Sequence, residues 1–316
     1  MGRTPFRIVV AEPFSDDAVR RLRQHGEVTV LKDSAPETII SAVGNADALL
    51  VRAKAHVTAR IIDSAPQLRV IGRASPTVDH IDLRAANRRD IPVVYCPNVA
   101  VNSCAEFTLA LMLALHRRVV FFDKQLRDGQ FDSARQMPVR EFRRCTVGLL
   151  GIDPVAECLS QMLIAAFGTS ILCHDPFDGR PTEMKAQFVG LDELLAQSDV
   201  LSIHLRHAPE TRSYMNAARL GQMRPDALLV NTTRGSLVDS SALADCLHKR
   251  SIAGAALDVF DIEPLPLTHP LRRAPNCILT PHVAGATTDA AEDRYSVADD
   301  VIRVLTGEKP HHQAVL

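Results

Sequence analysis

The sequence has 316 residues, of which 46% are hydrophobic and 23% are charged, and its formal net charge is −1. This length and balance suit two globular domains with ample cores. The lack of a basic surplus argues against a nucleic-acid partner, and no run of about 18 apolar residues indicates a membrane span. The N-terminal segment carries no signal-peptide pattern, and the seven cysteines are scattered without a CxxC motif. We therefore expect a cytoplasmic protein with reduced thiols and no metal site.

Short apolar runs alternate with amphipathic runs in the first third of the chain. Amphipathic patterns typical of helices include Ser15–Gln24 and Pro36–Val43. The alternation predicts a parallel sheet with helices on both faces. The predicted strands are Arg7–Ala11, Val28–Leu31, Ala48–Val51, Val70–Arg73 and Val93–Tyr95.

A long apolar run, Ser103–Leu126, follows this first series. It is more apolar than a single solvent-facing helix requires. One interpretation is a core helix between domains, and another is a helix buried against a second subunit. The two interpretations are compatible, because different faces of the helix can serve each role.

A second series of strands and helices begins after this run and ends near residue 280. From Thr287 onward the pattern predicts one more helix, which would return to the first domain. The predicted strands are Thr146–Leu150, Ser170–His174, Val200–His204, Leu228–Asn231, Gly254–Leu257 and Cys277–Thr280.

The start of the second series has the layout of a dinucleotide-binding βαβ unit. The strand Thr146–Leu150 leads into Gly151 and a helix that ends near Phe167, and the next strand ends at Asp175. In such units the pyrophosphate lies on the helix N-terminus and the acid binds the ribose hydroxyls. Asp175 favours NAD over NADP, because a 2′-phosphate would meet its carboxylate.

The glycine fingerprint of this unit is altered from GxGxxG to GxDxxA. Ala156 at the third position is a mild change, but Asp153 at the second adds bulk and negative charge where a phosphate should approach. Two unit charges about 4 Å apart at an effective dielectric of about 20 repel by about 4 kcal/mol. Half of that would weaken binding more than tenfold. Alternatively, Asp153 before Pro154 is a strong helix start, so the aspartate could simply cap the helix.

Three further motifs lie at the carboxyl ends of predicted strands, where open α/β sheets bind ligands. They are Leu229–Gly235, Ala256–Pro264 and Thr280–Thr287. Each alone has a structural explanation as a turn, a loop acid or a lone histidine. Their order and spacing together are much more specific.

With these motifs, the chain resembles the D-isomer-specific 2-hydroxyacid dehydrogenase family, close to its phosphoglycerate dehydrogenase and hydroxypyruvate reductase branches. The resemblance runs from about Ala48 to Thr287. It implies that Arg234 holds the substrate carboxylate and keto oxygen. It also implies that His282 exchanges a proton with the substrate oxygen, and that Glu263 orients His282 and favours its protonated form. Asp258 would hold the nicotinamide carboxamide.

The resemblance also implies an α/β fold of two Rossmann-like domains and a homodimer, which suits the apolar run at 103–126. A flavodoxin-like split substrate domain would span 1–99 and 286–316. A doubly wound parallel sheet at 100–285 would bind NAD. The cofactor-binding residues would be Gly151, Asp153, Pro154, Val155, Asp175, His204, Arg206, Thr211, Thr232 and Asp258.

The departures from the family pattern cluster in the ligand-facing loops. On the cofactor side, the sequence at His204–Thr211 replaces the family pattern HxPLTxxT. Its basic residues Arg206 and His207 could bind a phosphate and so partly compensate the negative charge of Asp153. On the substrate side, VRSxT becomes Val51–His56, and the glycine-rich loop carries Ser75-Pro76-Thr77. The PGxN pattern loses its asparagine at Ala100. The substrate-binding residues would be Arg52, Ala53, Ser75, Pro76 and Thr77.

Three functional hypotheses remain open at this point. The leading one is an NAD-dependent oxidoreductase that interconverts an unusual anionic 2-keto acid and a D-2-hydroxy acid. The second is a non-catalytic paralogue, such as a metabolite sensor, a corepressor-like protein or a partner subunit, whose cofactor site is blocked by Asp153. The third keeps the enzyme but holds the nucleotide tightly or in a different pose. The intact set of Arg234, Glu263 and His282 favours an enzyme.

Overall fold

The computed structural model describes residues 5–52, 54–177, 184–293 and 296–314. The chain forms two compact units. The first combines Met1–Ala100 with Thr287–Leu316, and the second is Val101–Ala286.

The first unit is built on a five-stranded parallel sheet. Its order is β2-β1-β3-β4-β5, which is the flavodoxin-like order. The central strand β3 is buried along its whole length, as expected for a strand covered on both faces. The strands are β1 (Phe6–Val10), β2 (Gly26–Val30), β3 (Ala48–Val51), β4 (Val70–Arg73) and β5 (Val93–Tyr95).

Six helices of the described residues belong to this unit: α1 (Asp16–Arg23), α2 (Pro36–Val43), α3 (Ala59–Asp63), α4 (Leu83–Asn87), α12 (Thr288–Asp293) and α13 (Ser296–Thr306). α13 buries Val297, Val301 and Leu305, which are spaced four residues apart and therefore share one helix face. A Cβ at Gly72 of β4 would lie 2.6 Å from the Val301 side chain. The C-terminal segment thus packs directly onto the first sheet.

The second unit is built on a seven-stranded parallel sheet of order β12-β11-β10-β9-β6-β7-β8. The two parallel sheets confirm the predicted α/β fold with two Rossmann-like units. The edge strand β8 has only two residues, and the sequence pattern did not indicate it. The strands are β6 (Thr146–Leu150), β7 (Ser170–His174), β8 (Gln187–Phe188), β9 (Val200–Ile203), β10 (Leu228–Asn231), β11 (Gly254–Leu257) and β12 (Cys277–Leu279).

The helices described in the second unit are α5 (Val101–His116), α6 (Val119–Arg127), α7 (Phe131–Arg135), α8 (Pro154–Phe167), α9 (Leu191–Gln197), α10 (Ala217–Leu220) and α11 (Ser240–Lys249). No helix among the described residues is both long and apolar enough to cross a bilayer.

The apolar run at 103–126 is two helices and not one. The chain turns at Arg118, whose φ of +53° lies in the left-handed region. α5 contributes Met112 and Leu115 to the core beside α8. α6, in contrast, has no buried residue and exposes Val119 and Leu126. α5 is therefore a core helix of its own unit, and the apolar surface is carried by α6.

Candidate active site

The loop after β6 is shaped by Gly151, whose φ is +94°. A Cβ at this position would lie 2.5 Å from the backbone of His204 and Leu205, so the loop excludes any larger residue. The Gly151 N–H donates to the carbonyl oxygen of His174 at 2.7 Å. The ends of β6, β7 and β9 thus pack so closely here that the first position of the fingerprint must be glycine.

Asp153 is the N-cap residue of α8, and Pro154 begins the helix. The Asp153 Oδ1 atom accepts the Ala156 N–H at 2.7 Å. Nearby, the Asp175 carboxylate accepts the Ile152 N–H at 3.0 Å and the Phe177 N–H at 2.8 Å. The N–H groups of Ile152 and Ala156, which would face a bound pyrophosphate, are thus already hydrogen-bonded to carboxylates of the protein.

His204 lies directly beneath this cap and is fully buried. Its Nε2 is 2.9 Å from the Ser202 hydroxyl, and its Nδ1 is 3.2 Å from Asp153 Oδ1. Sequence reasoning assigned both residues to the cofactor but did not pair them, because they are far apart in the chain. The closeness of His204 to the intruding carboxylate is a finding of the structure.

The loop at 204–211 directs its basic side chains to different places. The Arg206 guanidinium lies 3.8 Å from the centre of the Phe177 ring, which follows the ribose-binding candidate Asp175. The His207 Nδ1 lies 3.0 Å from the Ser236 hydroxyl. Thr211 is buried and its hydroxyl donates to the Arg206 carbonyl oxygen at 2.9 Å, so it holds the loop in shape.

Asn231 ends β10 and fixes the turn that follows. Its Oδ1 accepts the Thr233 N–H at 3.1 Å, and its Nδ2 donates to the Arg234 carbonyl oxygen at 2.9 Å. The Thr232 hydroxyl lies 2.7 Å from that of Thr108 on α5. Sequence reasoning missed Asn231, although an asparagine between a buried strand and an Arg-Gly turn is a usable signal.

Arg234 is half-buried and its Nη1 donates to the Thr233 carbonyl oxygen at 2.7 Å. The next residue, Gly235, packs against the loop that follows β11. A Cβ there would lie 1.9 Å from the carbonyl carbon of Phe260. Glycine at this position therefore brings the arginine turn against the loop that carries Glu263.

His282 and Glu263 are hydrogen-bonded, with 2.8 Å between Nδ1 and Oε2. The other oxygen, Glu263 Oε1, accepts the Phe260 N–H at 2.9 Å, which fixes the carboxylate. The His282 side chain keeps 53% of its surface exposed and Glu263 keeps 37%. The pair is thus oriented by the protein while the imidazole remains accessible.

Asp258 is fully buried at the end of β11. Its Oδ1 accepts the Thr280 hydroxyl at 2.5 Å and the Val283 N–H at 3.0 Å, and its Oδ2 accepts the Ala284 N–H at 2.8 Å. These hydrogen bonds hold the segment on both sides of His282. The predicted contact between Asp258 and the nicotinamide stays a prediction.

The structure places Arg234, Glu263 and His282 after β10, β11 and β12, which are neighbours in the sheet. Parallel strands bring their carboxyl ends to one edge, so these side chains share one end of the second unit. The phosphate-loop residues follow β6 and β7 of the same sheet.

The predicted substrate residues belong to the first unit. The Arg52 Nη1 donates to the Pro13 carbonyl oxygen at 2.9 Å. The buried Glu12 carboxylate accepts the backbone N–H groups of Arg52, Lys54 and Ala55 at 2.9–3.1 Å. Glu12 therefore fixes this loop, a role that sequence reasoning missed although an acid directly after β1 is its signal. Ala53 lies outside the described residues.

The second predicted substrate loop follows β4. The Ser75 Oγ accepts the Thr77 N–H at 3.5 Å, and Pro76 is exposed between them. Beyond this loop the His80 ring stacks on that of His56, with 4.1 Å between centroids. The imidazole stack joins the two predicted substrate loops.

Comparison with known proteins places this geometry in a family. Residues 109–284 match the family model described as D-isomer specific 2-hydroxyacid dehydrogenase, NAD binding domain. A glyoxylate reductase of Thermofilum pendens is 36% identical, over 96% of this chain and 93% of the relative. A D-3-phosphoglycerate dehydrogenase of Archaeoglobus fulgidus is 33% identical over 95% of this chain, which spans only 58% of that longer relative.

Among solved structures, a protein from Thermus thermophilus superimposes with a TM-score of 0.87 at 33% identity, covering 98% of this chain and 100% of the other. The likeness thus extends over both units of the chain. The chain belongs to the D-isomer specific 2-hydroxyacid dehydrogenase family, and its second unit contains the family's NAD-binding domain.

Proposed function

We propose that this protein is an NAD(H)-dependent oxidoreductase that interconverts a small anionic 2-keto acid and the corresponding D-2-hydroxy acid. The hydrogen bond between His282 and Glu263, with Arg234 at the neighbouring strand end, carries the proposal. These three side chains supply a proton donor, its orienting base and a carboxylate clamp.

His282 is the proton donor and acceptor in this proposal. Because its Nδ1 is bound to Glu263, the Nε2 atom is the one left for the substrate oxygen. In reduction the imidazolium gives its Nε2 proton to the forming alkoxide, and in oxidation the neutral ring takes it back. The Glu263 carboxylate stabilises the charged ring in both directions.

Arg234 recognises the substrate carboxylate. A guanidinium binds a carboxylate through two parallel hydrogen bonds, which also orients the adjacent keto group. The Arg234 Nη1 is bound to the Thr233 carbonyl oxygen, which holds the side chain near its own turn. We propose that the altered loops containing Arg52 and Ser75–Thr77 select a substrate that differs from those of the relatives.

The residues of the second unit fit a bound NAD on several counts. The tight Gly151 turn, the N-terminus of α8 and the acid Asp175 are all present in the expected order. When bound, NADH supplies the hydride that reaches the keto carbon. The carboxylate of Asp175 would bind the ribose hydroxyls, and the first turn of α8 would receive the pyrophosphate once Asp153 leaves the Ala156 N–H.

The test is a screen of purified protein with NADH and small 2-keto acids, and with NAD⁺ and 2-hydroxy acids. Reduction is measured as a loss of NADH absorbance and oxidation as a gain. The relatives' names suggest glyoxylate and, in the oxidative direction, D-3-phosphoglycerate as first substrates. We expect turnover of at least one anionic keto acid and none in His282→Asn. Equal rates in the wild type and this variant would refute the assigned chemistry.

A second candidate function is supported by the cap at Asp153. Its carboxylate already occupies the Ala156 N–H at 2.7 Å, so the chain could be a non-catalytic sensor or partner subunit with a closed phosphate site. Calorimetry with NADH distinguishes the two functions. If the wild type does not bind and Asp153→Gly does, the non-catalytic function is the correct one.

We also propose that the protein forms a homodimer through α6 and α7. Val119, Val120, Leu126 and Phe131 are each more than half exposed there. An apolar groove of about 1100 Å³ lies between α5, α6 and α7. Monomers rarely leave such a continuous apolar surface to water.

A further inference from the structure

The aspartate in the phosphate loop is not isolated, since a buried imidazole lies against it. Asp153 Oδ1 contacts the Ala156 N–H at 2.7 Å on one side and His204 Nδ1 at 3.2 Å on the other. The second contact is not a hydrogen bond in this structure. Among the described residues, the buried Nδ1 atom therefore has no hydrogen-bond partner.

A protonated His204 would change this contact. In the neutral ring the Nδ1 atom can be an acceptor and face the carboxylate unfavourably, whereas in the imidazolium both nitrogens are donors. The Nδ1–H would then pair with Asp153, and Nε2 would donate to Ser202. Because the ring is buried and only 28% of the Asp153 side chain is exposed, salt screens such a charged pair less than it screens an exposed one.

We propose that His204 is the residue that allows this chain to bind a dinucleotide despite the aspartate in its loop. His204 takes up one proton as the dinucleotide binds and draws the Asp153 carboxylate to itself. The Ala156 N–H is thereby released to the pyrophosphate. This inference rests on the proposed function, because it assumes that a dinucleotide occupies the α8 N-terminus.

The charges around the loop require such a proton. A dinucleotide brings two negatively charged phosphates to a site that already holds Asp153, and Asp175 lies at the adjoining amide of Ile152. With the proton, the His204–Asp153 pair is neutral and the repulsion between Asp153 and the phosphates is removed.

No other described group is placed to do the same. The titratable and charged groups on the segments around the ring are Asp153 before α8, His174 at the end of β7, Asp175 after it, Arg206 and His207 on its own loop, and Arg234 after β10. Arg206 lies on the Phe177 ring, and His207 is bound to Ser236. The polar contacts described for the His204 ring are with Ser202 and Asp153.

The proposal predicts the direction of a pH effect on binding. Because binding takes up a proton in this proposal, the dissociation constant of NADH rises with pH. It rises up to about tenfold per pH unit where histidine side chains titrate. At lower pH, where the free pair already carries the proton, the dissociation constant becomes constant.

The experiment is calorimetric titration of NADH between about pH 5 and about pH 9, the range that brackets histidine titration. Two buffers of different ionisation enthalpy count the protons exchanged. We expect uptake approaching one proton per NADH in the wild type. Asp153→Gly should bind more tightly, with its pH dependence and proton uptake abolished.

Asp153→Asn is the matched control, because asparagine still caps the helix but carries no charge. We expect it to lose the proton uptake as well, which assigns the effect to charge and not to bulk. His282 is unchanged in all three proteins, so its effect on NADH binding is common to them. Circular dichroism verifies that each variant is folded.

Two outcomes are decisive against the proposal. If the wild type binds NADH with the same affinity across the pH range and without proton exchange, the role of His204 is refuted while the proposed function stands. If neither the wild type nor Asp153→Gly binds NADH at any pH, the proposed function fails and the inference fails with it.

Discussion

At the Glu263–His282 contact, a single hydrogen bond determines which ring nitrogen is available for chemistry. The 2.8 Å bond to Nδ1 leaves Nε2 accessible on a ring that is half exposed. Asp258 fixes the backbone on both sides of this ring through Thr280, Val283 and Ala284. Orientation of the acid therefore depends on two carboxylates, one on the ring and one on the backbone.

Replacing the ring partner tests this at the scale of the residue. Glu263→Gln keeps the shape but removes the charge that stabilises the imidazolium, so we expect kcat to fall by about 10²–10⁴. The affinity for NADH should be unchanged, because the hydrogen bonds described for the Glu263 carboxylate are with the His282 ring and the Phe260 amide. The measurement is steady-state kinetics beside NADH calorimetry, and a variant with normal kcat would contradict the assigned role.

The two basic residues of the 204–211 loop give a second prediction at this scale. Arg206 lies over Phe177, near the proposed ribose acid Asp175, whereas His207 is bound to Ser236. We expect Arg206→Ala to weaken NADH binding by about twofold to fivefold, the effect of one exposed ion pair. His207→Ala is the matched control and should leave the dissociation constant unchanged. If replacing both residues with alanine leaves the dissociation constant of NADH unchanged, this loop does not bind the phosphates.

At the scale of the element, the loops after β10 and β11 pack against each other at Gly235, where there is no room for a side chain. A Cβ there would lie 1.9 Å from the Phe260 carbonyl carbon, a backbone atom that cannot move alone. The arginine turn and the loop that carries Glu263 are therefore a single packed structure.

Gly235→Ala should separate these two loops. We expect a loss of stability of about 1–3 kcal/mol, typical of overpacking, and a lower kcat because Arg234 and Glu263 move apart. Thermal melting and kinetics measure the two effects. Gly190→Ala is the control, since nothing lies within 4 Å of its added Cβ. A fully stable and active Gly235→Ala protein would show that the loops pack independently.

Most strands follow from the sequence, because buried parallel strands have short apolar runs with clear ends. Ala48–Val51, Thr146–Leu150 and Leu228–Asn231 match the predicted bounds. The turn at Arg118 does not follow, because a left-handed arginine has no local signal. Neither does β8, since two residues form no pattern.

The site residues likewise divide into those that the sequence predicts and those that it does not. The sequence indicates His282, Glu263 and the Asp153 cap through local motifs and their order along the chain. It does not indicate that His204 lies against Asp153, or that Glu12 binds the amides of Arg52, Lys54 and Ala55. Those contacts join residues that are far apart in sequence, and only the folded sheet brings them together.

At the scale of the whole molecule, the exposed face of α6 and α7 is the feature that predicts assembly. We expect a dimer in analytical ultracentrifugation, and a monomer for the double variant Leu126→Glu with Phe131→Glu, because two buried charges would oppose association. Leu267→Glu is the control, as Leu267 is an 85% exposed apolar residue elsewhere in the chain. A wild-type monomer would disprove the proposed interface.

The order of strands in the second sheet separates the two chemistries of the proposed enzyme. Glu263 and His282 follow β11 and β12 at one edge, whereas Asp153 and Asp175 follow β6 and β7 on the far side of β9. With this arrangement, nucleotide preference can change in evolution while the proton-transfer residues stay the same. A library randomised at Asp153 and Arg206 would therefore test new cofactors beside an unchanged catalytic base.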